Sequence, residues 1–294
     1  MDGSSVELMA RRRRPVRELP PPGPRPRPVT PPGTITCQQC SRSIASERFD
    51  RSLRVCPSCG HHAALPAIMR AGQLADAGTL EVLRLDLTDR DPLGFNDGIP
   101  YPERVAGARE KTGLEEAFVI ARATTGGVAV ALACMDFGFL GGSLGSAAGE
   151  SFARACEMAV ADRRPLITVC TSGGARMQEG IVSLAQMARC SVGVSAVGRA
   201  GLPYISVLAD PCFGGVTASF AVQADVIVAE PRARIGFAGG RVIELATQDR
   251  LPEGFQTSEF LLGHGMIDVV VQRSGLRELL TRLLGAFISG RSAS

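Results

Sequence analysis

Two stretches of the chain repeat one pattern, a strand-like apolar run that ends at a pair of glycines and continues into a helical run. In the first stretch, residues 166–170 lead to Gly173 and Gly174, and apolar residues then recur at helical spacing over 175–188. In the second, residues 204–208 lead to Gly214 and Gly215, followed by residues 216–222. Strands that alternate with helices in this way predict an α/β fold, built as a spiral of strand–strand–helix units.

A glycine pair between a strand and a helix also favours a particular chemistry. Backbone N–H groups at a helix N-terminus lack partners and carry partial positive charge, so Gly173 and Gly174 are predicted to hold a developing oxyanion. The alternative is an ordinary packing turn. Gly214 and Gly215 are candidates for the same site, for its floor or for a subunit interface. No GxGxxG motif follows either strand, and GxxxxGK[ST] is absent, which argues against the common nucleotide-binding folds.

A glycine-rich loop at residues 136–146 precedes a predicted helix at 147–161. Glycine allows a ligand to approach the backbone closely, and a helix N-terminus attracts phosphate. Gly141, Gly142, Ser143 and Gly145 are therefore candidates for binding a phosphate or a pantetheine chain. A flexible connector with the same composition is the alternative.

Four cysteines near the N-terminus have the spacing of a metal site. Cys37, Cys40, Cys56 and Cys59 form two CxxC pairs separated by 15 residues, which predicts a zinc ribbon with four thiolate ligands. Such a closed ligand set predicts structural zinc. His61 and His62 follow the second pair and are interpreted as residues outside the ligand set. Arginines 42, 48, 51 and 54 on the ribbon would suit contact with nucleic-acid phosphates, or form a solvated basic face.

These segments divide the chain into three predicted regions. Residues 1–33 are rich in proline and arginine and predict a disordered tail, residues 34–65 the ribbon, and residues 66–290 the main α/β domain. The other five cysteines lie in apolar runs, which is typical of core residues in a reducing cytoplasm. No membrane span or secretory signal is expected.

Several motifs together resemble those of one family, the β subunit of the bacterial acetyl-coenzyme A carboxylase carboxyltransferase. The resemblance covers about residues 36–273 and rests on the ribbon cysteines followed by HH, and on the ordered segments FGFLGGSLGS, SGGARMQEG, GLPYISVLADPCFGGVTASFA, AEPRARIGFAGGRVIE, LPEGFQTSEFLL and HGMIDVVV. It implies a crotonase-like (ClpP/crotonase) spiral of ββα units behind the zinc ribbon. The chain departs from the family at Gly240, where proline is usual, and in its proline- and arginine-rich tail.

The resemblance also implies a reaction and partners. The family transfers the carboxyl group of carboxybiotin, on a biotin carboxyl carrier protein charged by biotin carboxylase, to acetyl-CoA. The product is malonyl-CoA, for fatty acid or polyketide biosynthesis. Gly173 and Gly174 would hold the thioester enolate, and an α subunit would hold the biotin oxyanion in an α2β2 heterotetramer.

Three alternatives stay open. The chain is a carboxyltransferase of a specialised pathway with another acyl-CoA, another crotonase-type enzyme with Glu179 as its base, or a zinc-ribbon regulator that binds nucleic acid.

Overall fold

The computed structural model describes residues 33–87 and 91–292. The predicted tail lies almost entirely outside these residues. The first described region is a small unit in which strands β1 (Thr34–Thr36) and β2 (Ser43–Ala45) pair antiparallel and helix α1 (Ser46–Arg51) follows. Ile44 and Phe49 are buried against the cysteines, so the ribbon has only a small apolar core of its own.

The remaining chain forms the mixed α/β fold that the sequence predicts. Its elements are α2 (Ala67–Leu74), β3 (Glu81–Val82), α3 (Tyr101–Thr112), β4 (Phe118–Thr125), β5 (Val128–Met135), α4 (Ser146–Ala161), β6 (Leu166–Ser172), α5 (Ile181–Arg199), β7 (Tyr204–Phe213), α6 (Gly214–Thr217), β8 (Val226–Ala229), β9 (Ile235–Gly236), α7 (Gly240–Thr247), α8 (Ser258–Gly263), β10 (Val269–Val270) and α9 (Leu276–Ser292). Short 3-10 turns lie at Leu140–Gly142, Met177–Glu179, Phe220–Val222 and Arg273–Gly275.

One sheet organises this domain, in the order β10-β8-β7-β6-β5-β4-β3, with β9 paired to β7. Strands β5, β6, β7, β8 and β10 run parallel, whereas β4 pairs antiparallel with both β3 and β5. Apolar side chains cover both faces of the sheet, with α4 and α5 on one side and α2 and α9 on the other. Parallel strands that are buried on both faces read as continuous apolar runs, which is why 166–170 and 204–208 stood out in the sequence.

Two helix predictions are wrong at their boundaries. The helix after the first glycine pair begins at Ile181 instead of Ala175, because Ala175 forms a parallel bridge to Leu144 and a 3-10 turn intervenes. The helix expected at 216–222 is a single turn, α6, followed by a second 3-10 turn. In both cases tertiary pairing to a neighbouring segment overrides the local helical pattern.

The ribbon packs on the main domain through a buried cluster of charged residues. Arg273 donates to both carboxylate oxygens of Glu230 at 2.8 and 2.5 Å, and to the ribbon carbonyls of Leu53 and Ala63 at 2.6 and 2.9 Å. Arg70 lies 2.7 Å from the same carboxylate. Burial would raise the pKa of Glu230, but the neighbouring guanidinium groups hold it well below its usual range. Arg273 therefore joins the two regions directly.

By length and composition, α5 is the one described helix that meets the criteria for a membrane span, although the sequence led us to expect none. A single such helix is weak evidence, because core helices of α/β proteins pass the same test. Here α5 packs along α4 in the layer that covers the sheet.

Candidate active site

The two glycine pairs lie side by side in the structure. Strands β6 and β7 are parallel neighbours, so the turns that follow them meet at the same edge of the sheet. Gly174 and Gly214 both have positive φ angles, +119° and +62°. A Cβ atom on Gly214 would lie 2.8 Å from the Cα atom of Gly174, closer than real Cβ contacts allow. Glycine is needed at this contact because two backbones touch there.

Both N–H groups of the first pair donate within the protein. The N–H of Gly173 donates to the carbonyl of Gly141 at 2.8 Å, and that of Gly174 to the hydroxyl of Ser172 at 2.9 Å. The expectation that these N–H groups are free and lie at a helix N-terminus is therefore wrong for this structure. A catalytic role for Gly173 and Gly174 stays a prediction. Such a role would depend on the shape of the turn rather than on its N–H groups.

The second pair is different. Gly214 donates to the carbonyl of Phe237 at 3.0 Å, but the N–H of Gly215 has no acceptor in the part of the chain that the structure describes. Gly215 is buried, and buried N–H groups without a partner are rare in proteins. The N–H of Ala175 is also without an acceptor among the described residues, and its nitrogen lies 3.7 Å from the position of a Cβ on Gly214. These two donors belong to the two turns that touch at Gly174 and Gly214.

The glycine-rich loop packs on the end of β6. A Cβ on Gly142 would overlap the carbonyl oxygen of Thr171, and the hydroxyl of Ser172 donates to the carbonyl of Gly142 at 2.7 Å. Gly141 accepts from Gly173, and Gly145 is the residue before α4. The structure thus brings this loop against the first glycine turn. Substrate binding by Gly141, Gly142, Ser143 and Gly145 stays a prediction.

A buried arginine that sequence reasoning missed holds the loop in place. Arg176 donates to the carboxylate of Glu116 at 2.8 and 2.5 Å, and to the carbonyl and hydroxyl of Ser143 at 2.9 and 3.0 Å. Burial alone would lower the pKa of Arg176, but the hydrogen bonds and charge of Glu116 raise it, so the guanidinium keeps its charge. The only signal in the sequence was a charged residue directly after an apolar strand and its glycine turn.

Glu179, the base that a hydratase-type reaction would need, is not free. Its side chain is 1% exposed, and it accepts hydrogen bonds from the hydroxyl of Tyr101 at 2.6 Å and the N–H of Ser146 at 2.5 Å. Because both of its carboxylate oxygens accept hydrogen bonds, Glu179 orients α4 and the loop before it. This arrangement speaks against the alternative in which Glu179 moves a proton.

The four ribbon cysteines come together as predicted. Their sulfur atoms all lie within 4.8 Å of one another, with Cys37 to Cys59 at 3.7 Å and Cys40 to Cys56 at 3.8 Å. Tetrahedral coordination with Zn–S bonds of about 2.3 Å requires sulfur atoms about 3.8 Å apart, so the cluster fits this metal.

Neither histidine belongs to the group that could hold a metal. The Nε2 atom of His62 lies 2.8 Å from the side-chain oxygen of Gln272. The group comprises the four cysteines alone, and His61 is half-buried beside it.

The other five cysteines are buried free thiols, as predicted. Burial raises the pKa of Cys170 to about 11 and that of Cys134 to about 12, which keeps both protonated at neutral pH. They act as core residues on the two faces of the sheet.

Comparison with known proteins agrees with this architecture. The carboxyl transferase domain model matches residues 88–277. The acetyl-coenzyme A carboxylase carboxyl transferase subunit beta of Rubrobacter xylanophilus is 52% identical over 85% of this chain and 96% of its own length. The subunits beta/alpha protein of Salinispora arenicola is 52% identical over 87% of this chain but only 45% of its own length. The chain thus spans less than half of such longer relatives.

Solved structures give the same fold. The Pseudomonas malonate decarboxylase MdcD-MdcE hetero-dimer contains a similar chain, with a TM-score of 0.59 and 25% identity over 76% of this chain and 86% of that one. Transcarboxylase 12S shares the fold, with a TM-score of 0.62 and 22% identity over 81% of this chain and 42% of that one. From the domain match and the identity to relatives along most of its described length, this chain belongs to the carboxyl transferase family, in the group of acetyl-coenzyme A carboxylase carboxyl transferase beta subunits.

Proposed function

We propose that the chain is the beta half of a carboxyltransferase that moves the carboxyl group of carboxybiotin to acetyl-CoA and so forms malonyl-CoA for fatty acid or polyketide biosynthesis. The observation that carries this proposal is the identity of 52% to a carboxyl transferase subunit beta along 96% of that relative's length. The unpaired donors at the meeting point of the glycine turns are consistent with it.

The proposed chemistry places negative charge on the thioester oxygen when the α-carbon of acetyl-CoA loses a proton. The N–H groups of Gly215 and Ala175 would donate to that oxygen, since both lack another acceptor among the described residues. One such donor typically contributes about 2.7–4 kcal/mol to transition-state stabilisation. Gly173 and Gly174 would form the wall of the pocket through the shape of their turn. The proton would pass to the biotin that has given up its carboxyl group.

A partner subunit would complete the site. Biotin has its own oxyanion, and we assign its donors to an α subunit in an α2β2 heterotetramer, with biotin carried by a biotin carboxyl carrier protein and recharged by biotin carboxylase. Large apolar side chains beside the glycine turns support such an interface, since Met177, Ile181 and Phe237 are 76%, 75% and 71% exposed. The Salinispora arenicola relative is named as subunits beta/alpha in one chain.

The metal of the ribbon is proposed to be zinc, in one structural site. A four-thiolate set leaves no open position for a substrate. Metal analysis of the purified protein should give about one equivalent of zinc per chain, and the double variant Cys37→Ser with Cys59→Ser should lose it. Retention of zinc by that variant would contradict the assignment.

Nucleic-acid contact by the ribbon is a second candidate function. Arg42, Arg48 and Arg51 are exposed and have no ion pair with any residue that the structure describes, whereas Arg54 pairs with Asp50 at 2.8 Å. Free guanidinium groups on one small unit suit a phosphate backbone. Binding of RNA that is lost in the triple alanine variant of these arginines, and that weakens with salt, would support this role.

One assay tests the main proposal. The chain is co-expressed with a carboxyl transferase α subunit, and transfer is measured from malonyl-CoA to biocytin, in the reverse direction. We expect turnover with the pair and none with the chain alone. Longer acyl-CoA thioesters in the same assay separate an acetyl-CoA enzyme from a specialised one. An active hydratase or decarboxylase without biocytin would overturn the proposal.

A further inference from the structure

The backbone beside the first glycine turn fixes the direction of one N–H group. Leu144 and Ala175 form a parallel bridge, in which the N–H of Leu144 donates to the carbonyl of Gly174 at 2.9 Å and the N–H of Arg176 donates to the carbonyl of Leu144 at 3.0 Å. Successive N–H groups of a paired strand point to opposite sides, so the N–H of Ala175 points away from Leu144. Gly214 of the second turn lies close by, since an added Cβ there would be 3.7 Å from the Ala175 nitrogen. The bonds to Leu144 therefore decide where this N–H group points.

The side chain of Arg176 joins the same two segments again. Its Nη2 atom donates to the carbonyl of Ser143 at 2.9 Å, and its Nε atom donates to the hydroxyl of Ser143 at 3.0 Å. Ser143 directly precedes Leu144, so the backbone and the side chain of Arg176 hold adjacent positions of the glycine-rich loop. These hydrogen bonds connect the loop with the residues on either side of Ala175.

The opposite side of the guanidinium is anchored to the sheet. The Nη1 and Nη2 atoms of Arg176 donate to the two carboxylate oxygens of Glu116 at 2.8 and 2.5 Å. The carboxylate also accepts from the N–H of Ala117, the residue before strand β4, at 2.7 Å. Both side chains of the ion pair are 1% exposed, so water does not compete for either. A planar fork held rigidly on one side orients what it binds on the other, and Arg176 thereby sets the position of Ser143 relative to β4.

A tyrosine and a second carboxylate complete this support. The Nη1 atom of Arg176 also donates to the hydroxyl of Tyr101 at 3.2 Å, and that hydroxyl donates to Glu179 at 2.6 Å. The other oxygen of Glu179 accepts from the N–H of Ser146, the first residue of α4, at 2.5 Å. A Cβ on Gly145 would overlap the Glu179 carboxylate and lie 2.9 Å from the Arg176 guanidinium. These buried side chains therefore account for glycine at position 145 without any ligand.

We propose that Arg176 is a positioning residue of the carboxyl-transfer site, which keeps the Ala175 N–H directed at the thioester oxygen by holding Ser143 and Leu144 in place. This inference rests on the proposed function for the reaction and for the identity of that oxygen. Arg176 itself does not touch the substrate, because its side chain is buried and each of its nitrogen atoms donates within the protein. A donor that acts on the oxyanion contributes mainly to the transition state, so its displacement should lower kcat and leave KM nearly unchanged.

Amide hydrogen exchange of the full chain tests the positioning itself and needs no reaction. In Arg176→Lys, which keeps the positive charge but loses the planar fork, the N–H groups of Leu144 and Gly173 should exchange about tenfold faster than in the parent. Arg273→Lys is the matched control, because Arg273 is equally buried and also binds one carboxylate and backbone carbonyls, at the ribbon. There the same N–H groups should exchange as in the parent. Unchanged exchange in Arg176→Lys, or equal acceleration in both variants, would overturn the proposal.

Turnover of the complex in the biocytin assay tests the functional consequence. Arg176→Lys should lower kcat by about tenfold to 10²-fold, the cost of a small misplacement at a reacting site, with little change in the KM for malonyl-CoA. Arg273→Lys should keep the parental kcat. The two tyrosines of the chain provide a milder pair. Tyr101→Phe removes only the hydroxyl beside Arg176 and should lower kcat, whereas Tyr204→Phe removes a buried hydroxyl that donates to the carbonyl of Phe220 and should not.

The outcomes separate this inference from the proposed function. Faster exchange at Leu144 in Arg176→Lys, together with no carboxyl transfer by the parent complex, would support the positioning and refute the proposed reaction. A folded Arg176→Lys complex with the parental kcat would leave the reaction standing and refute the role of Arg176. A raised KM with unchanged kcat would also refute it. Tyr101→Phe is judged by the same criteria and covers the case in which Arg176→Lys fails to fold.

Discussion

The two strand-to-glycine turns of this chain look alike in sequence and differ in what their backbone groups do. At Gly173 and Gly174 both N–H groups donate inside the protein, to the glycine-rich loop and to Ser172. At Gly215 the N–H donates to no described residue. The first turn therefore joins segments of the fold, whereas the second keeps one N–H that no described residue accepts. A pair of glycines does not by itself define an oxyanion site, because the neighbouring segments decide which N–H groups stay free.

The most severe change predicted at the second turn is Gly215→Pro. Proline removes the N–H, so we expect kcat to fall by about 10²–10³-fold, the effect of losing one oxyanion donor. Turnover of the complex in the biocytin assay measures it. Gly215→Ala is the matched control, because it keeps the N–H and its Cβ would meet the flexible side chain of Met187 at 3.2 Å. If Gly215→Ala loses as much activity as Gly215→Pro, turnover depends on the shape of the second turn rather than on the N–H of Gly215.

At the first turn we expect Gly174→Ala to reduce stability. Gly174 has φ of +119°, and an added Cβ would lie 3.4 Å from Gly214, so the variant should lose about 1–3 kcal/mol of unfolding free energy. Chemical denaturation measures the loss. Gly239→Ala is the control, since that position has φ of −62° and no atom within 4 Å of an added Cβ. A fully stable Gly174→Ala protein would show that the turn relaxes without cost.

Ser172→Ala tests whether the internal hydrogen bonds of the first turn serve the stability of the fold. The hydroxyl accepts from Gly174 and donates to Gly142, and its loss leaves buried groups unpaired, which typically costs about 1–3 kcal/mol. We expect a lower melting temperature with kcat changed much less than in Gly215→Pro. Ser206→Ala is the control, a buried serine on the neighbouring strand β7 whose hydroxyl lies 3.7 Å from the Cys170 sulfur. A loss of kcat equal to that of Gly215→Pro would place the first turn in the chemistry.

Gly173→Ala should have the smallest effect. Gly173 is not among the residues with positive φ, and an added Cβ would meet only the carbonyl of Gly141 at an ordinary 3.6 Å. We expect a change in unfolding free energy within about 0.5 kcal/mol and near-parental turnover. Parallel denaturation and activity curves measure both. A large loss of activity in a stable Gly173→Ala protein would restore the sequence-based assignment of this residue to the oxyanion site.

Sequence reasoning succeeded where local pattern and local chemistry coincide. The parallel strands are buried on both faces, so 166–170 and 204–208 were visible as apolar runs, and four cysteines in two CxxC pairs specified their own cluster. Sequence reasoning failed where contacts with a distant segment of the chain determine the local structure. The start of α5 depends on the bridge between Ala175 and Leu144, and the N–H groups of the first turn depend on Gly141 and Ser172.

The buried arginine network shows the same limit. Arg176 contacts Glu116, which lies 60 residues earlier, and Tyr101, which lies 75 residues earlier. No periodicity or spacing connects positions so far apart in the chain. A charged residue beside a buried strand end indicated that a partner was needed, but only the fold identifies the partner.

The contact of Arg273 with both the ribbon and Glu230 has a consequence for cooperativity. If the ribbon opened alone, Arg273 would lose the carbonyls of Leu53 and Ala63, and the carboxylate below it would meet water. Leaving a buried guanidinium without its acceptors is unfavourable, so local opening of the ribbon is linked to strand β8, which ends at Ala229, directly before Glu230. Amide hydrogen exchange at Val228 should therefore accelerate when a chelator removes the metal, although the cysteines lie in a different part of the chain.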